Sequence, residues 1–274
     1  MIELRDIIVH GLPPFFIGAC VGSFLNVCIY RIPLGKSVVT PGSRCAACGA
    51  GIRWWNNLPI LSWFLLRGRA VCCGTRIDFR YALVEALTAG LFLALWRCYG
   101  VTAPWLAVIY MVFVAALVVA TFIDFDYYII PDRITLGCCV AGLSLSAAAP
   151  ELHGAVSWSA GLLRSAAGLI TGGGLLWAVA VVGRRVFRKE AMGFGDVKFL
   201  AGMGALLGWQ AVVFIVAVSS LAGAACGIMV MMVSGWRREL RIPYAPYLAL
   251  AAVVWVLGGW RVMAWYSEFL IGNR

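Results

Sequence analysis

Apolar residues fill most of the chain in long continuous runs, separated by short polar stretches. Several runs are about 20 residues long, the length of a helix that crosses the hydrocarbon core of a bilayer. The runs do not alternate apolar and polar residues with a period of two, which disfavours a transmembrane β-barrel. We therefore predict an all-α polytopic membrane protein with about eight transmembrane helices. The predicted spans are 12–31, 81–98, 103–122, 133–149, 159–183, 196–208, 211–234 and 244–267.

Composition agrees with this fold class. Hydrophobic residues make up 63% of the chain, charged residues 12%, and the mean hydropathy is +0.93, outside the range of ordinary soluble domains. A formal net charge of +10 would suit nucleic-acid binding, but the basic residues cluster in the connections between apolar runs, as membrane orientation signals do. We expect a lipid bilayer around the protein and no nucleic-acid partner.

The distribution of basic residues also predicts the orientation. Most of the 22 lysines and arginines fall on one side if the loop 31–80 is cytoplasmic. They lie in that loop, at Arg133, in 184–198 and in 237–241. This arrangement places both termini outside. The N-terminus lacks the features of a cleavable signal peptide, so the first span is predicted to be a permanent helix.

The loop between the first two spans is the only long polar segment, and it carries two pairs of cysteines. A domain of about 50 residues is too small to be stable on a hydrophobic core alone. In a reducing cytoplasm, Cys45, Cys48, Cys72 and Cys73 are better explained as zinc ligands than as disulfides. The second pair is irregular, because Ala70 stands where a C-x-x-C motif would begin. A zinc site with Cys72 as substitute and a metal-free or incomplete site both remain open. The predicted domains are a first helix (1–31), a cysteine-containing cytoplasmic domain (32–80) and a membrane core (81–274).

Two acidic segments interrupt the apolar pattern: IDFDYYIIPD (Ile123 to Asp132) and MGFGD (Met192 to Asp196). A carboxylate at membrane depth is costly and is a functional candidate by default. Asp124 and Asp196 each adjoin a continuous apolar helix, whereas Asp132 follows Pro131 and can cap the next helix. Asp126 fits either role, that of a functional carboxylate or that of a residue at a helix end. The predicted orientation puts both segments on the cytoplasmic side.

Two close carboxylates are what an aspartyl hydrolase requires. Like charges at short range separate the two titrations, so that one group is ionised as base while the other is protonated as acid. Asp196 begins a helix and Asp124 ends one, so the helix dipoles predict Asp196 as base and Asp124 as acid. Gly193 and Gly195 permit a close approach of substrate backbone. Taken alone, these glycines equally fit a flexible loop.

Several motifs in order resemble the bacterial type IV prepilin peptidases, membrane aspartyl proteases of the GxGD class. They cover most of the chain: GSFLNVCIYRIP (Gly22 to Pro33), SRCAAC (Ser43 to Cys48), NLPILSWFLLRG (Asn57 to Gly68), RYALVE (Arg80 to Glu85), IDFDYYIIPD and MGFGDVKFL (Met192 to Leu200). The sequence departs from the family pattern at the second cysteine pair, where Ala70 stands at the usual first position and Cys72 is an additional cysteine.

The resemblance implies a bacterial inner-membrane enzyme that cleaves the basic leader from prepilins or pseudopilins at the cytoplasmic face. The catalytic aspartates of that family map onto Asp124 and Asp196, within a seven-helix protease core at 81–274. It also implies N-methylation of the new N-terminal residue with S-adenosylmethionine. No glycine fingerprint of a nucleotide site follows a strand in the sequence.

Four further polar residues are candidates for contacting the substrate or supporting the site: Asp126, Lys198, Glu85 and Asn26. The last two lie inside predicted spans. Hydrogen bonds between helices explain them equally well, and for Lys198 a solvated interface position is the plainer explanation.

Two other functions fit a membrane protein with acidic residues. A proton-coupled carrier would use carboxylates near the bilayer midplane and often shows internal repeats. Here no repeat is evident, and the aspartates lie at one face. A membrane scaffold with a zinc-binding loop would leave both acidic segments without a role. The protease is therefore the favoured prediction.

Overall fold

The computed structural model describes residues 4–188, 192–234 and 243–272, and in these ranges the protein is helical. The basic residues Lys189, Arg237, Arg238 and Arg241, which entered the orientation argument, lie outside the described residues. The α-helices are α1 (Leu4–Arg31), α2 (Leu61–Leu65), α3 (Phe79–Tyr99), α4 (Pro104–Tyr127), α5 (Asp132–Ala148), α6 (Trp158–Phe187), α7 (Phe194–Leu207), α8 (Trp209–Ser234), α9 (Ala245–Val254) and α10 (Trp260–Gly272).

Each of the first seven predicted spans corresponds to one helix and the eighth to α9 and α10, and the predicted all-α membrane architecture is confirmed. Among the described residues, six helices are long and apolar enough to cross a membrane: Gly11–Arg31, Phe79–Tyr99, Pro104–Tyr127, Trp158–Val186, Trp209–Val233 and Ala245–Trp265. The remaining two, α5 with 17 residues and α7 with 14, are shorter. At 1.5 Å per residue α7 rises only about 21 Å, less than the roughly 30 Å of hydrocarbon.

Local sequence explains where the helices begin and bend. The Asp78 side chain caps α3 by accepting a hydrogen bond from the Arg80 N–H, and Ser157 caps α6 through the Ala160 N–H. The last predicted span is not one regular helix. A π-helical turn at Trp255–Gly259, with Gly258 at φ 136°, separates α9 from α10.

The chain divides into two compact units, residues 1–119 and 120–274. In the first unit α1 packs along α3, and the loop between them carries the cysteines. In the second unit α7 packs against α5, α6 and α8, and most of its side chains are buried. The sequence predicts domain boundaries at residues 31 and 80. The division after residue 119 does not test them, so they stay predictions.

Glycine makes the close packing of α7 against α6 possible. A Cβ atom on Gly168 of α6 would clash with the backbone carbonyl of Gly204, and one on Gly204 would clash with that of Gly168. A Cβ on Gly172 would collide in the same way with the Leu200 carbonyl. Small residues let helix backbones approach in this way inside membranes. The crossing fixes α7, which carries Asp196, on α6.

The variant Gly168→Ala is expected to lower the thermal stability of the detergent-solubilised protein, by about 1–3 kcal/mol of overpacking strain. Its matched control is Gly174→Ala on the same helix, where an added Cβ meets no atom within 4 Å. That control should be neutral or slightly stabilising, because alanine is the better helix former. Equal melting temperatures for the two variants would contradict the close crossing.

Candidate active site

Asp124 lies in the last turn of α4 and is buried, with 5% of its surface exposed. Its Oδ2 accepts a hydrogen bond of 3.2 Å from the backbone N–H of Ala245. Ala245 is the first residue of α9, where backbone N–H groups have no partner within the helix. This bond ties the end of α4 to the start of α9 within the second unit.

Asp196 lies in the first turn of α7, and Gly193 occupies the N-cap position of this helix. The Asp196 N–H donates to the Gly193 carbonyl at 3.2 Å, and the Asp196 carboxylate accepts a backbone hydrogen bond from Gly193. The side chain is half-buried. The turn that begins α7 therefore fixes the carboxylate near the helix N-terminus, as the sequence predicts.

The two carboxylates line one cavity of about 290 Å³, and the negative charge of Asp124 acts on Asp196. The lining residues come from the end of α4, the loop after it and the start of α7: Asp124, Tyr128, Ile129, Ile130, Asp132, Gly193, Phe194, Gly195, Asp196 and Lys198. Two acidic side chains that are far apart in sequence thus line the same cavity, which has room for a water molecule and part of a peptide.

Both glycines of the second acidic segment lie where a side chain would intrude on the cavity. A Cβ on Gly193 would come within 3.4 Å of Asp196 Oδ2, and a Cβ on Gly195 within 3.4 Å of the Ile130 Cβ. Neither glycine has a positive φ, so their value here is space rather than unusual backbone conformation. Their small size keeps the cavity open beside the carboxylates.

Lys198 is held at the edge of the same cavity. Its Nζ forms an ion pair of 2.7 Å with Asp132 Oδ1 and lies 5.2 Å from the centre of the Phe194 ring. Asp132 is the first residue of α5, so the ion pair joins α5 to α7. An exposed ion pair contributes little stability, but this one orients the lysine at the cavity edge.

The other predicted residues lie elsewhere. Asp126 is exposed and is not among the residues that line the cavity. Glu85 and Asn26 belong to the first unit. Glu85 Oε2 accepts a 2.6 Å bond from the Ile60 N–H, and Asn26 donates to the Tyr81 carbonyl at 3.1 Å. For these three residues a role towards substrate stays a prediction.

Sequence reasoning missed the Ala245 N–H, because an alanine carries no chemical signal of its own. The nearest available signal was Pro246, since proline is favoured at the first positions of a helix and marks where free N–H groups begin. The bond also changes the dipole argument. Asp124 ends α4 but faces the N-terminus of α9, so a helix N-terminus favours the anionic form of each carboxylate.

In the first unit the four loop cysteines form a compact cluster. The Sγ atoms of Cys45, Cys48, Cys72 and Cys73 all lie within 4.8 Å of one another. Neighbouring sulfurs are 3.7 Å (Cys45 to Cys73), 3.3 Å (Cys48 to Cys72) and 3.8 Å (Cys72 to Cys73) apart. Four sulfurs at about 2.3 Å from a tetrahedral zinc ion would be about 3.8 Å apart. The cluster therefore fits a zinc ion.

The two cysteine turns share one backbone pattern, which explains the irregular second pair. In the first turn Cys45 N–H donates to Ala50 O (2.8 Å), and Gly49 N–H donates to Cys45 O (2.9 Å). The second turn repeats these bonds from Ala70 to Thr75 (2.9 Å) and from Gly74 to Ala70 (2.8 Å). Ala70 thus occupies the position of Cys45, Cys73 that of Cys48, and Cys72 supplies the fourth sulfur from inside the turn.

Hydrogen bonds lower the pKa of two thiols in this cluster, which favours the thiolate form that binds a cation. Backbone N–H groups of Cys48 and Ala47 lower the pKa of the Cys45 thiol to about 6, and hydrogen bonds from Thr75 lower the pKa of Cys73. Hydrogen bonds to Cys48 and Cys45 instead raise the pKa of Cys72 to about 12. Thiolates are the metal-binding form, so a metal ion would have to displace the proton held on Cys72.

Two protein-family models match the chain. Residues 16–99 match the model of the bacterial Peptidase A24 N-terminal domain, and residues 111–228 match that of the type IV leader peptidase family. The first match contains the cysteine cluster, and the second contains both cavity aspartates. No solved structure matches the chain significantly.

Curated relatives extend the similarity over nearly the whole chain. A "Prepilin leader peptidase/N-methyltransferase" of Aeromonas hydrophila is 34% identical over 95% of this chain and 97% of its own length. A protein of the same name from Neisseria gonorrhoeae is 32% identical, over 91% and 92%. One from Myxococcus xanthus is 40% identical over 81% of this chain, which spans 63% of that relative. The chain therefore belongs to the type IV leader peptidase family, whose curated members are named for two enzyme activities, leader peptidase and N-methyltransferase.

Proposed function

We propose that this protein is a membrane-embedded aspartyl endopeptidase that removes the basic leader from type IV prepilins or pseudopilins. The observation that supports this most strongly is the shared cavity of Asp124 and Asp196 in a member of the leader peptidase family. The two aspartates are the catalytic residues of the proposal. The cavity belongs to the second unit, which has the packed helices needed to hold it.

Catalysis proceeds by activation of a water molecule between the two carboxylates. The ionised aspartate takes a proton from the water, whose oxygen attacks the carbonyl carbon of the scissile bond. The protonated aspartate donates its proton to the carbonyl oxygen, which gives a tetrahedral diol. Collapse of this diol breaks the C–N bond, and a proton returned by the pair neutralises the leaving amine. Because each carboxylate accepts a backbone N–H at a helix N-terminus, acid and base are assigned to the pair and not to either residue.

The remaining cavity groups position the substrate and the pair. Gly193 and Gly195 leave room for a peptide backbone beside the carboxylates. The Lys198–Asp132 ion pair fixes α7 relative to the start of α5. This ion pair adds no net charge at the cavity, so a basic leader would meet the negative charge of the catalytic pair itself.

The proposed site faces the cytoplasm of a bacterial cell, with the protein spanning the inner membrane. The clustering of basic residues in the connections on one side supports this orientation. A prepilin has a short basic leader before its apolar helix. Its scissile bond would therefore lie at the inner membrane surface, at the level of the end of α4 and the start of α7.

The names of the relatives include N-methyltransferase, which supports a second activity of that kind. We propose that it methylates the new N-terminus and that S-adenosylmethionine is the methyl donor. The described residues contain isolated β-bridges but no strand followed by a glycine-rich turn and a helix. They do not form a strand-based nucleotide site. No residue is therefore assigned to the methyl donor.

We also propose that Cys45, Cys48, Cys72 and Cys73 hold a structural zinc ion. The sulfur spacing and the paired turns support it. A tetrahedral thiolate site would stabilise a loop that has little hydrophobic core of its own.

The variants Asp124→Asn and Asp196→Asn, made separately, are expected to abolish leader cleavage. Each amide removes a group that accepts or donates the catalytic proton, at a cost of about 10³-fold or more in rate. The measurement is processing of a purified prepilin by the reconstituted enzyme. Glu151→Gln, which changes an exposed carboxylate on the 3₁₀ turn Pro150–His153, is the control and should retain activity. Near wild-type cleavage by either asparagine variant would refute the pair.

Zinc analysis of the purified full chain tests the metal site and the role of Cys72. We expect one zinc ion per chain in the wild type and in Cys98→Ser, a cysteine outside the cluster. Cys45→Ser and Cys72→Ser should lose it, because three thiolates bind zinc far more weakly than four.

The double variant Ala70→Cys/Cys72→Val restores two regular C-x-x-C turns and should regain zinc. Full zinc occupancy in Cys72→Ser alone would exclude Cys72 as the fourth ligand. Equal zinc content in the wild type and Cys45→Ser would exclude the site altogether.

A further inference from the structure

The loop of the first unit exposes an unusual concentration of large apolar side chains. The six residues, called here the apolar face, have between 40% (Leu58) and 76% (Leu65) of their surface exposed. They are Trp54, Trp55, Leu58, Leu61, Phe64 and Leu65. Single exposed apolar residues are ordinary on protein surfaces, but a contiguous group of this size marks an interaction site.

The two short helices that carry the apolar face are packed as one element. The Ser62 hydroxyl donates to the Trp55 carbonyl, and the Ser62 N–H donates to the Leu58 carbonyl. The Trp54 and Trp55 rings meet edge to face, with centroids 5.5 Å apart. These contacts hold the side chains of the 3₁₀ helix Trp54–Asn57 beside those of α2.

α2 has an inner and an outer side. Trp63 anchors the inner side: its indole N–H donates to the Ile77 carbonyl at 3.1 Å, and its ring lies 5.1 Å from that of Phe79. Leu61, Phe64 and Leu65 are spaced by three and four residues, so they follow one line along the helix, where their side chains are exposed. The Phe64 ring also meets the Trp63 ring edge to face, with centroids 5.2 Å apart. The exposed residues thus form a directed surface, not a frayed loop.

A buried carboxylate fixes the position of this surface along α3. The Ile60 N–H, one residue before α2, donates to Glu85 Oε2 at 2.6 Å. Glu85 lies inside the span Phe79–Tyr99, about 9 Å along the helix from its start. Ile60 has a φ of 63°, uncommon for a β-branched residue, so this hydrogen bond also holds an otherwise unfavourable turn. Ile60 is therefore held beside the second turn of α3, the helix that follows the loop.

Basic residues flank the apolar face. Arg53, Arg67 and Arg69 are exposed, and the Arg53 guanidinium lies 5.3 Å from the centre of the Trp55 ring. Tryptophan is characteristic of the interface between lipid and water, and arginine binds anionic headgroups from the same position. Apolar side chains on one side with arginines beside them are the pattern of an interfacial helix.

We propose that residues 53–69 form an interfacial element that lies in the headgroup region of the bilayer. The apolar face enters the acyl boundary, and Arg53, Arg67 and Arg69 contact the phosphates of anionic phospholipids. Glu85 and Trp63 couple this element to α3, so the lipid surface fixes the position of the cysteine domain. The element shares no residue with the lining of the proposed peptidase cavity.

Photocrosslinking to lipid tests this proposal on the full-length protein reconstituted in vesicles. A benzophenone amino acid replaces Phe64 in one variant and Leu65 in a second. Val39, which has 77% of its surface exposed in the same loop but lies outside the apolar face, is the control. In vesicles of phosphatidylethanolamine and phosphatidylglycerol we expect several-fold more lipid adduct at positions 64 and 65 than at 39. The yield should fall in vesicles of phosphatidylcholine alone.

Either of two results would overturn the proposal as a whole, and a third would overturn its claim about the arginines. One is a lipid adduct yield at 64 and 65 no higher than at 39. The other is a crosslink from 64 or 65 mainly to another part of this protein or to a second copy, which would make the apolar face a protein interface. A yield independent of headgroup charge would remove the contact between the arginines and anionic lipid. Leader cleavage measured on the same samples is a separate readout, so the peptidase proposal stands or falls independently.

Discussion

Two carboxylates that share one partly dehydrated cavity repel each other, and the rest of the proposed site depends on that repulsion. When both are ionised, the like charges at short range are unfavourable, and loss of water strengthens the interaction. The pair therefore favours a state in which one group holds a proton and the other does not. That state is the one from which a single water molecule can be deprotonated while a carbonyl oxygen is protonated. In the proposed mechanism, the repulsion between the like charges of Asp124 and Asp196 is thus both a cost to stability and the source of the chemistry.

The fold maintains this unfavourable arrangement by holding the ends of two helices in place. α7 packs tightly on α6, because Gly168 and Gly204 bring the two backbones into direct contact. α4 cannot withdraw Asp124 without breaking the bond to the Ala245 N–H, which would leave a buried carboxylate without that donor. The same N–H compensates part of the repulsion from Asp196. Stability and activity in the second unit consequently depend on the same few contacts.

Much of the architecture could be predicted from the sequence, because hydropathy determines which segments cross a bilayer. The acidic segments could be identified because a carboxylate at membrane depth is costly and therefore rare outside functional sites. Other features depend on tertiary contacts that no single segment encodes. The bond from Ala245 joins residues 121 positions apart, and the dipole argument that made Asp124 the acid considered only its own helix. The sequence already suggested Cys72 as a substitute ligand and Ala70 in the place of a cysteine, but the hydrogen-bonding pattern that the two turns share is visible only in the structure. The π-helical turn at Gly258 likewise broke a span that hydropathy shows as continuous.

The pH dependence of kcat/KM for leader cleavage tests the central claim most directly, because it reports how many carboxylates must be in opposite protonation states. A pair that shares one proton loses its base when both groups are protonated at low pH, and it loses its acid when both are ionised at high pH. The wild type is expected to give a bell-shaped profile with two ionisations. A profile with a single ionisation, constant on one side up to the limit of protein stability, would contradict it.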